Sequence, residues 1–328
     1  MKAPDGNKLA ILERLNQGRF LSGQVLGDEL GISRAAVAKH IHSLQKMGID
    51  IYKVNGKGYR ISRPLSLLSQ PAITEVYEQL QGQAGRFEVQ PIIDSTNSEL
   101  MRRIQANNLE PDTVLVAEMQ RQGKGRRGRV WQSPFAANLY YSYYWRLDDG
   151  MHAAMGLSIA VGLAIYDCLK ALYGLEVQLK WPNDVLVAGR KLAGVLVELD
   201  GTAEGPCHLV IGIGLNVSMP DNAAQHIDQP WCDLNEFTTE LDKNQLVAAL
   251  TCFLQKRLYQ YQRQGLTHMH QQWNDVHAFA GQCVELSSGN NHWRGICEGI
   301  DEQGAVVIRV DGQSKRYFGG EISLRATT

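Results

Sequence analysis

The chain has 328 residues, enough for two or three domains, and 44% of them are hydrophobic, enough for real cores. A formal net charge of −1 excludes a chain that binds a polyanion or polycation along its whole length. The balance is uneven, however. Residues 1–63 carry 11 Lys and Arg against 5 Asp and Glu, a net of +6, which leaves −7 for residues 64–328. Only the basic head is therefore expected to meet a polyanion. The cysteines, Cys168, Cys207, Cys232, Cys252, Cys283 and Cys297, form no Cys-x-x-Cys pair. They read as reduced thiols of a cytoplasmic protein with no zinc site. The N-terminus shows no signal-peptide core. The longest apolar run, Ala153–Tyr166, is broken by Ser158 and two glycines and falls short of the ~18 residues of a membrane span.

Lys8–Leu15 has helical spacing, with Leu9, Leu12 and Leu15 on one face. Ser22 is placed to cap a second helix with Val25, Leu26 and Leu30 as its apolar face, and Gly31 falls in the turn. Ser33 is placed to cap a third helix, Arg34–Met47, which buries Ala36, Val37, Ile41 and Leu44 and turns Arg34, Lys39, His40, His42 and Lys46 outward. Helix, Gly-containing turn and basic second helix make a helix-turn-helix. The run Ile51–Ile61 places two β-rich segments around Asn55-Gly56, a strong hairpin signal, with Lys53, Lys57 and Arg60 as a cationic wing. A three-helix unit that binds a protein, or nothing, fits the same pattern. The basic wing and the +6 balance favour DNA. Phosphate contacts would then supply affinity and residues early in the third helix would read base edges. Ser33, Arg34, Lys39, His40 and Lys57 are the expected contacts.

Pro64–Pro71 reads as a linker whose Leu65, Leu67 and Leu68 lie on something apolar. Phe87–Ile93 is an expected strand, followed by a helix start at Asp94–Glu99 where Thr96-x-x-Glu99 fits a capping box. Thr113–Glu118 is an expected buried strand. Asn138–Trp145, with Tyr140, Tyr141, Tyr143 and Tyr144, reads as a core sheet strand, and His152–Tyr173 as a buried helix. Gln178–Trp181 is an expected strand ending in the turn Pro182-Asn183-Asp184, and Val185–Arg190 a hairpin tip. Val195–Leu199 and Leu209–Val217 are further expected strands; Gly212 and Gly214 in the second would let something approach the backbone. Met219–Gln229 reads as an irregular lid before Trp231, and Asn244–Gln264 and Leu266–Trp273 as helices. From Cys283 to Leu324 short β runs recur, as in a small barrel-like domain.

The segment Gly123–Trp131 carries the clearest chemistry. Four cations and three glycines fall between Gly123 and Arg129, with no acid. Glycine admits close backbone approach, turned amides form an anion cradle, and arginine grips carboxylate or phosphate at two points. It is not a P-loop, because no Gly-Lys-Ser/Thr follows four spacer residues. Read alone, it fits an anion site, a solvated basic loop or a nucleic-acid patch. Asp184 suits Mg²⁺ beside a nucleotide, or plain turn chemistry. Lys191 by itself reads as solvated surface.

Several motifs stand together in one order: Ser95-Thr96-Asn97, Gln120 with Gly123–Gly128, Lys180-Trp-Pro-Asn-Asp184, Arg190-Lys-Leu-Ala-Gly194 and Gly319-Gly-Glu-Ile-Ser. With the helix-turn-helix before them, the chain resembles the bacterial biotin protein ligases that double as biotin operon repressors, over nearly its whole length. The resemblance implies an α+β multidomain fold. Residues 1–63 would form a winged helix-turn-helix. Residues 64–277 would form a central α/β class II synthetase-like ligase domain with a mixed sheet, and residues 278–328 an SH3-like β-barrel. It implies activation of biotin by ATP and Mg²⁺ to biotinyl-5′-AMP and transfer to a lysine of the biotin carboxyl carrier protein of acetyl-CoA carboxylase. The adenylate would also act as corepressor of a homodimer on a palindromic operator.

Residue roles follow from the same resemblance. Ser95, Thr96, Asn97 and Gln120 would bind the ureido ring. Lys124, Gly125 and Arg126 would enclose carboxylate and phosphate, and Lys191 would hold both. Asn183 and Asp184 would position phosphates and Mg²⁺, and Arg129, Trp131 and Asn216 would contact the nucleotide. Gly194, Gly212 and Gly214 would line the biotin slot. Arg126, Lys191 and Asp184 are the expected catalytic residues. Lys124 departs from the arginine usual there, which matters only if its side chain meets ligand. Glu321 and Arg325 would pair on the surface or reach back to the site. A metabolite-sensing repressor without catalysis, a lipoate-type ligase and a ligase whose head no longer reads an operator are the competing readings.

Overall fold

The structure is a computed structural model that describes residues 6–62, 65–148, 156–201, 205–225, 227–288, 291–318 and 322–326. The Gly319-Gly-Glu321 motif and the expected start of a helix at His152 lie outside the described residues, as does the side chain of Arg325.

The head is built from α1 (Gly6–Leu15), α2 (Gly23–Leu30), α3 (Arg34–Lys46) and the antiparallel hairpin β1 (Ile51–Val54) and β2 (Gly58–Ile61). Ser22 and Ser33 cap α2 and α3 by accepting from the Val25 and Ala36 amides, each at 3.1 Å, and Gly31 ends α2 in the left-handed region. Leu12, Leu15, Leu26, Val37, Ile41 and Leu44 close the core, joined by Ile11. Val25 does not join them and is 43% exposed. The short α2 instead turns Gly23, Leu26 and Gly27 inward. A Cβ on Gly27 would stand 2.6 Å from the Ile32 carbonyl, so glycine lets the two helices meet this closely. Because the Ser33 hydroxyl satisfies an orphan amide of α3, Ser33→Ala should cost about 1 kcal/mol of local stability. It should appear as faster amide exchange confined to the first turn of α3.

The body centres on a seven-stranded sheet in the order β3-β4-β5-β9-β8-β7-β6. Its strands are β3 (Arg86–Gln90), β4 (Thr113–Ala117), β5 (Asn138–Leu147), β6 (Gln178–Lys180), β7 (Asp184–Val187), β8 (Arg190–Gly201) and β9 (Cys207–Asn216). Only β3 and β4 are parallel, so the sheet is mixed. The helices of the body are α4 (Gln70–Gln81), α5 (Thr96–Gln105), α6 (Leu157–Tyr173), α7 (Asp221–Ala224), α8 (Lys243–Gln264) and α9 (Met269–Asp275). Alternation along β5 sends Leu139, Tyr141, Tyr143 and Trp145 into the core with α6 and α8, and Tyr144 into a second core with Leu100 and Ile104 of α5. Both faces are covered, which explains an aromatic run with so few polar breaks.

Several expectations shift. Ser95, not Thr96, caps α5, accepting from the Ser98 amide. The strand expected to run to Ile93 ends at Gln90, and Ile93 makes only an isolated bridge to Gln120. Within Met219–Gln229 one short turn of helix, α7, forms. Leu65 and Leu67 do pack on the head core, and Leu68 on the body core. The C-terminal strands β10 (Cys283–Ser288), β11 (Asn291–Ile300), β12 (Val306–Val310), β13 (Gln313–Tyr317) and β14 (Ile322–Ala326) form one antiparallel sheet in the order β13-β12-β11-β10-β14. Among the described residues β13 and β14 do not pair, so the sheet is open where a closed barrel was expected. It is fixed to the body by Trp181 Nε1, which donates to the Gly304 carbonyl at 3.0 Å, and by Asn274, which exchanges two bonds with Ile300. No helix among the described residues is long and apolar enough to cross a membrane. All six cysteines are free.

Candidate active site

A cleft of about 690 Å³ opens where β4, the start of α5 and the hairpin β7–β8 converge. Its inner end is polar and buried. The Gln120 carboxamide oxygen accepts from the Thr96 amide at 2.9 Å and from its hydroxyl at 3.1 Å, while Gln120 Nε2 donates to Ser133. The Ser142 hydroxyl bridges Thr96 Oγ1 at 2.7 Å and Asn97 Oδ1 at 2.6 Å. Asn97 Nδ2 donates to Glu198 at 2.8 Å and to the Leu196 carbonyl. The amide of Asn97 is thus consumed by protein partners. Asn97 forms the floor of the cleft, and fixed polar groups of this kind can orient a small polar ligand.

Gly123–Trp131 closes the opposite side as a tight hairpin. Trp131 donates to the Gly123 carbonyl at 2.9 Å and Gly125 to the Arg129 carbonyl at 2.7 Å. Its tip is a single 3₁₀ turn, Arg126–Gly128, with Arg127 and Gly128 at positive φ. The loop is therefore internally bonded. Arg126 reaches back to Asn183 Oδ1 at 3.1 Å. Burial, with Arg127 beside it, pulls the Arg126 guanidinium below its ordinary range, and Asp184 offsets part of that. A desolvated cation of this kind gains most from a bound anion. Asn183 Nδ2 is anchored on the Val195 carbonyl at 2.6 Å. Lys124 lines the cleft and turns its ammonium to Glu198 at 3.2 Å, both groups part-exposed, a contact that ties the hairpin to β8. Lysine suffices there, because no planar fork is used.

Lys191 sits between the two ends. Its ammonium lies 2.6 Å from Asp184 and 5.4 Å from the Trp131 ring centroid, and both ionic side chains are only 16% exposed. The reading of Lys191 as solvated surface is therefore wrong. The Trp131 indole lies against Gly214 and Gly194, where added Cβ atoms would stand 2.4 and 3.3 Å from it. Asn216 does not line this cleft. It faces a smaller neighbouring hollow with Trp131 and Lys191, and its amide nitrogen holds the Lys191 and Cys232 carbonyls. Asn216 thus sets the Lys191 backbone.

The remaining site residues expected from sequence come together here: Ser95, Gly125, Arg129 and Gly212 also line the cleft. The residues expected to contact DNA lie elsewhere, in the head. Arg34, Lys39 and Lys57 are exposed, His40 is half-buried, and the Ser33 hydroxyl is occupied as a cap. Lys57 and Arg60 stack on Phe20 within 6 Å of its centroid, at 5.9 and 5.7 Å. Sequence reading missed Ser142, Glu198 and Phe279, and it gave Lys180 no role beyond its place in a motif. Ser142 is a lone small polar residue inside a buried aromatic strand, and Glu198 a lone acid in an apolar one; those breaks were the available signals. No cluster of three His, Cys, Asp or Glu suited to a metal exists among the described residues. A single carboxylate, Asp184, fits Mg²⁺, which keeps its waters and is held through one or two carboxylates together with substrate phosphates.

The fold and cleft define a ligase body joined to a helix-turn-helix head. Comparison with known proteins agrees segment by segment. Residues 7–60 match an HTH domain, residues 89–216 the biotin/lipoate A/B protein ligase family, and residues 279–325 the biotin protein ligase C-terminal domain. The chain is 42% identical over 318 residues to the bifunctional ligase/repressor BirA of Escherichia coli, covering 97% of each chain. The BirA of Salmonella typhimurium is similar to the same extent. Among solved structures, the Aquifex aeolicus biotin protein ligase in complex with biotin and ATP superposes with a TM-score of 0.63 at 26% identity, over 74% of this chain and 99% of that one. The chain belongs to the family of bifunctional biotin ligase/repressors.

Proposed function

We propose that the cleft joins biotin to ATP, forming biotinyl-5′-AMP and pyrophosphate, and then passes biotin to a lysine of biotin carboxyl carrier protein. The observation that carries this reading is the close placement of Lys191, Asp184 and Arg126 beside a buried polar end. A urea-like ring can exchange hydrogen bonds with Thr96 and Gln120, which line this end, whereas the dithiolane of lipoate has no donor to offer them. In the first step a biotin carboxylate oxygen bonds to the α-phosphorus and the bond to pyrophosphate breaks. Both reactants are anions, so catalysis is chiefly placement and charge neutralisation, with no enzyme nucleophile. Lys191 would touch the carboxylate and the α-phosphate together, Arg126 would face the phosphates, and Asn183 holds Arg126 in place. Asp184 would hold one Mg²⁺, which neutralises phosphate charge. Trp131, stacked over glycines and beside Lys191, would meet the nucleotide with Arg129. In the second step the carrier lysine attacks the mixed anhydride and AMP leaves.

The reading extends to the domain limits, 1–63, 64–277 and 278–328, and to an SH3-like form for the last. It extends also to a cytoplasmic setting, which the six free cysteines support. The adenylate would favour a homodimer whose two heads meet a palindromic operator. Pyrophosphate release by the purified chain with biotin, with lipoate and with neither tests the reaction. Release with biotin alone is expected, and none with biotin would leave a sensing repressor. Arg34→Ala should weaken operator binding severalfold and flatten its salt dependence while leaving pyrophosphate release unchanged. Equal loss of both activities would mean that the head and the cleft are not separable.

A further inference from the structure

We propose that Glu118 and Lys243 are positioning residues that tie the inner end of the cleft to the linker and the head. The proposal rests on the reading of that end as the biotin site. Its basis is a run of three residues just past β4, Glu118-Met119-Gln120, whose side chains serve three different parts of the molecule. Gln120 holds Thr96 in the cleft. Met119 packs on the head core. Glu118 is 4% exposed and points to the linker, where one carboxylate oxygen accepts from the Leu68 amide and the other meets the Lys243 ammonium at 2.6 Å.

The backbone of this run is fixed on both sides. Glu118 donates to the Gln90 carbonyl at 3.0 Å, Ile93 to the Met119 carbonyl at 3.1 Å, and Ala136 to the Glu118 carbonyl at 2.9 Å. The three side chains share one backbone segment held by these bonds, so a displacement of that segment at Gln120 is expected to reach Met119 and Glu118. The segment leading into β5 closes the circuit. Ser133 accepts from Gln120, while Phe135 and Ala136, two and three residues on, belong to the head core.

Lys243 secures the other side. It is the first residue of α8 and is fully buried. Its ammonium also donates to the Ala136 carbonyl at 3.3 Å, and its amide donates to Ser66 Oγ at 2.8 Å. Asn244 next to it holds the Leu67 carbonyl and the Ser69 amide. At the far end of the linker Asn16 of the head brackets Leu65, donating to its carbonyl at 2.6 Å and accepting from its amide at 2.5 Å. A buried ion pair adds little stability over an apolar pair of the same volume, but its bonds fix one register. Here the register fixed is that of residues 65–69 against the segment that carries Gln120.

Amide exchange of the full chain, with and without saturating biotin, tests the coupling. Binding is expected to slow exchange at Thr96, whose amide bonds Gln120, and at Leu68 and Ser69 by roughly fivefold or more. Slowing at Thr96 with no change at Leu68 and Ser69 would overturn the coupling. No response at Thr96 would instead overturn the reading of that end as the biotin site. A double variant, Glu118→Gln with Lys243→Met, keeps an acceptor for Leu68 and removes the charged pair. It should raise KM for biotin roughly tenfold with kcat and KM for ATP unchanged. Equal changes in both KM values, together with a lower Tm, would show a purely structural pair.

Discussion

Replacing Lys191 by methionine is expected to lower biotin-dependent pyrophosphate release by roughly 10²–10³-fold, the size of effect seen when one preorganised donor to developing charge is removed. The loss has two parts. The ammonium that would neutralise the meeting carboxylate and phosphate disappears. Asp184, whose 2.6 Å partner it was, is then left as a bare carboxylate at the place where anions must approach. Methionine keeps the contact with Trp131, so packing survives. The backbone at position 191 also stays anchored, since its amide donates to Pro230 and its carbonyl accepts from Cys232 and Asn216. The Tm should therefore stay within a few degrees of the parent. Lys191→Arg should recover only part of the activity, because a planar fork does not fit the point-charge geometry beside Asp184. Full turnover by the methionine variant would remove Lys191 from the reaction.

Much of this site was legible in the sequence because its parts are local. Gly123–Trp131 carries its glycines and cations consecutively, and the order of short motifs on either side named the family. The helices of the head were legible from Ser22 and Ser33 as caps and from apolar spacing. What was hidden depends on contacts across long separations. Lys191 looked like solvated surface because Asp184 reaches it only through the β7–β8 register. The bonds that fix Asn97 in the floor of the cleft were hidden because its partners Ser142 and Glu198 lie on β5 and β8. Thr96 fitted a capping box by spacing, but Ser95 took the cap and freed the Thr96 hydroxyl for Gln120. Nothing local in Lys243 announced a fully buried lysine, since only tertiary structure supplies Glu118. The open C-terminal sheet was hidden too, because nothing local in β13 or β14 says whether these two edge strands pair.

The same long-range packing makes Gly212→Ala a severe change. Gly212 sits in β9 with extended backbone, so an alanine there is not strained by φ. The obstacle is space, because its Cβ would stand 2.4 Å from Asn97 Oδ1 and 2.8 Å from Nδ2. Asn97 cannot yield cheaply. Ser142, Glu198 and the Leu196 carbonyl hold it, and β9 is locked in register with both β5 and β8. Overpacking of this kind costs about 1–3 kcal/mol, and here it falls on the floor that sets Thr96 and Gln120. Titration calorimetry should show biotin affinity reduced roughly 10- to 100-fold, that cost read at about 1.4 kcal/mol per tenfold, with ATP binding unchanged. Gly194→Ala is the control. Its Cβ would meet the Lys191 Cε and Nζ at 3.2 Å and the Trp131 ring at 3.3 Å, overlaps relieved by shifts of a few tenths of an ångström, so a much smaller loss is expected. Equal losses from the two alanines would mean that crowding anywhere in the cleft matters. A larger loss at Gly212 means that the rigid amide of Asn97 defines where biotin lies.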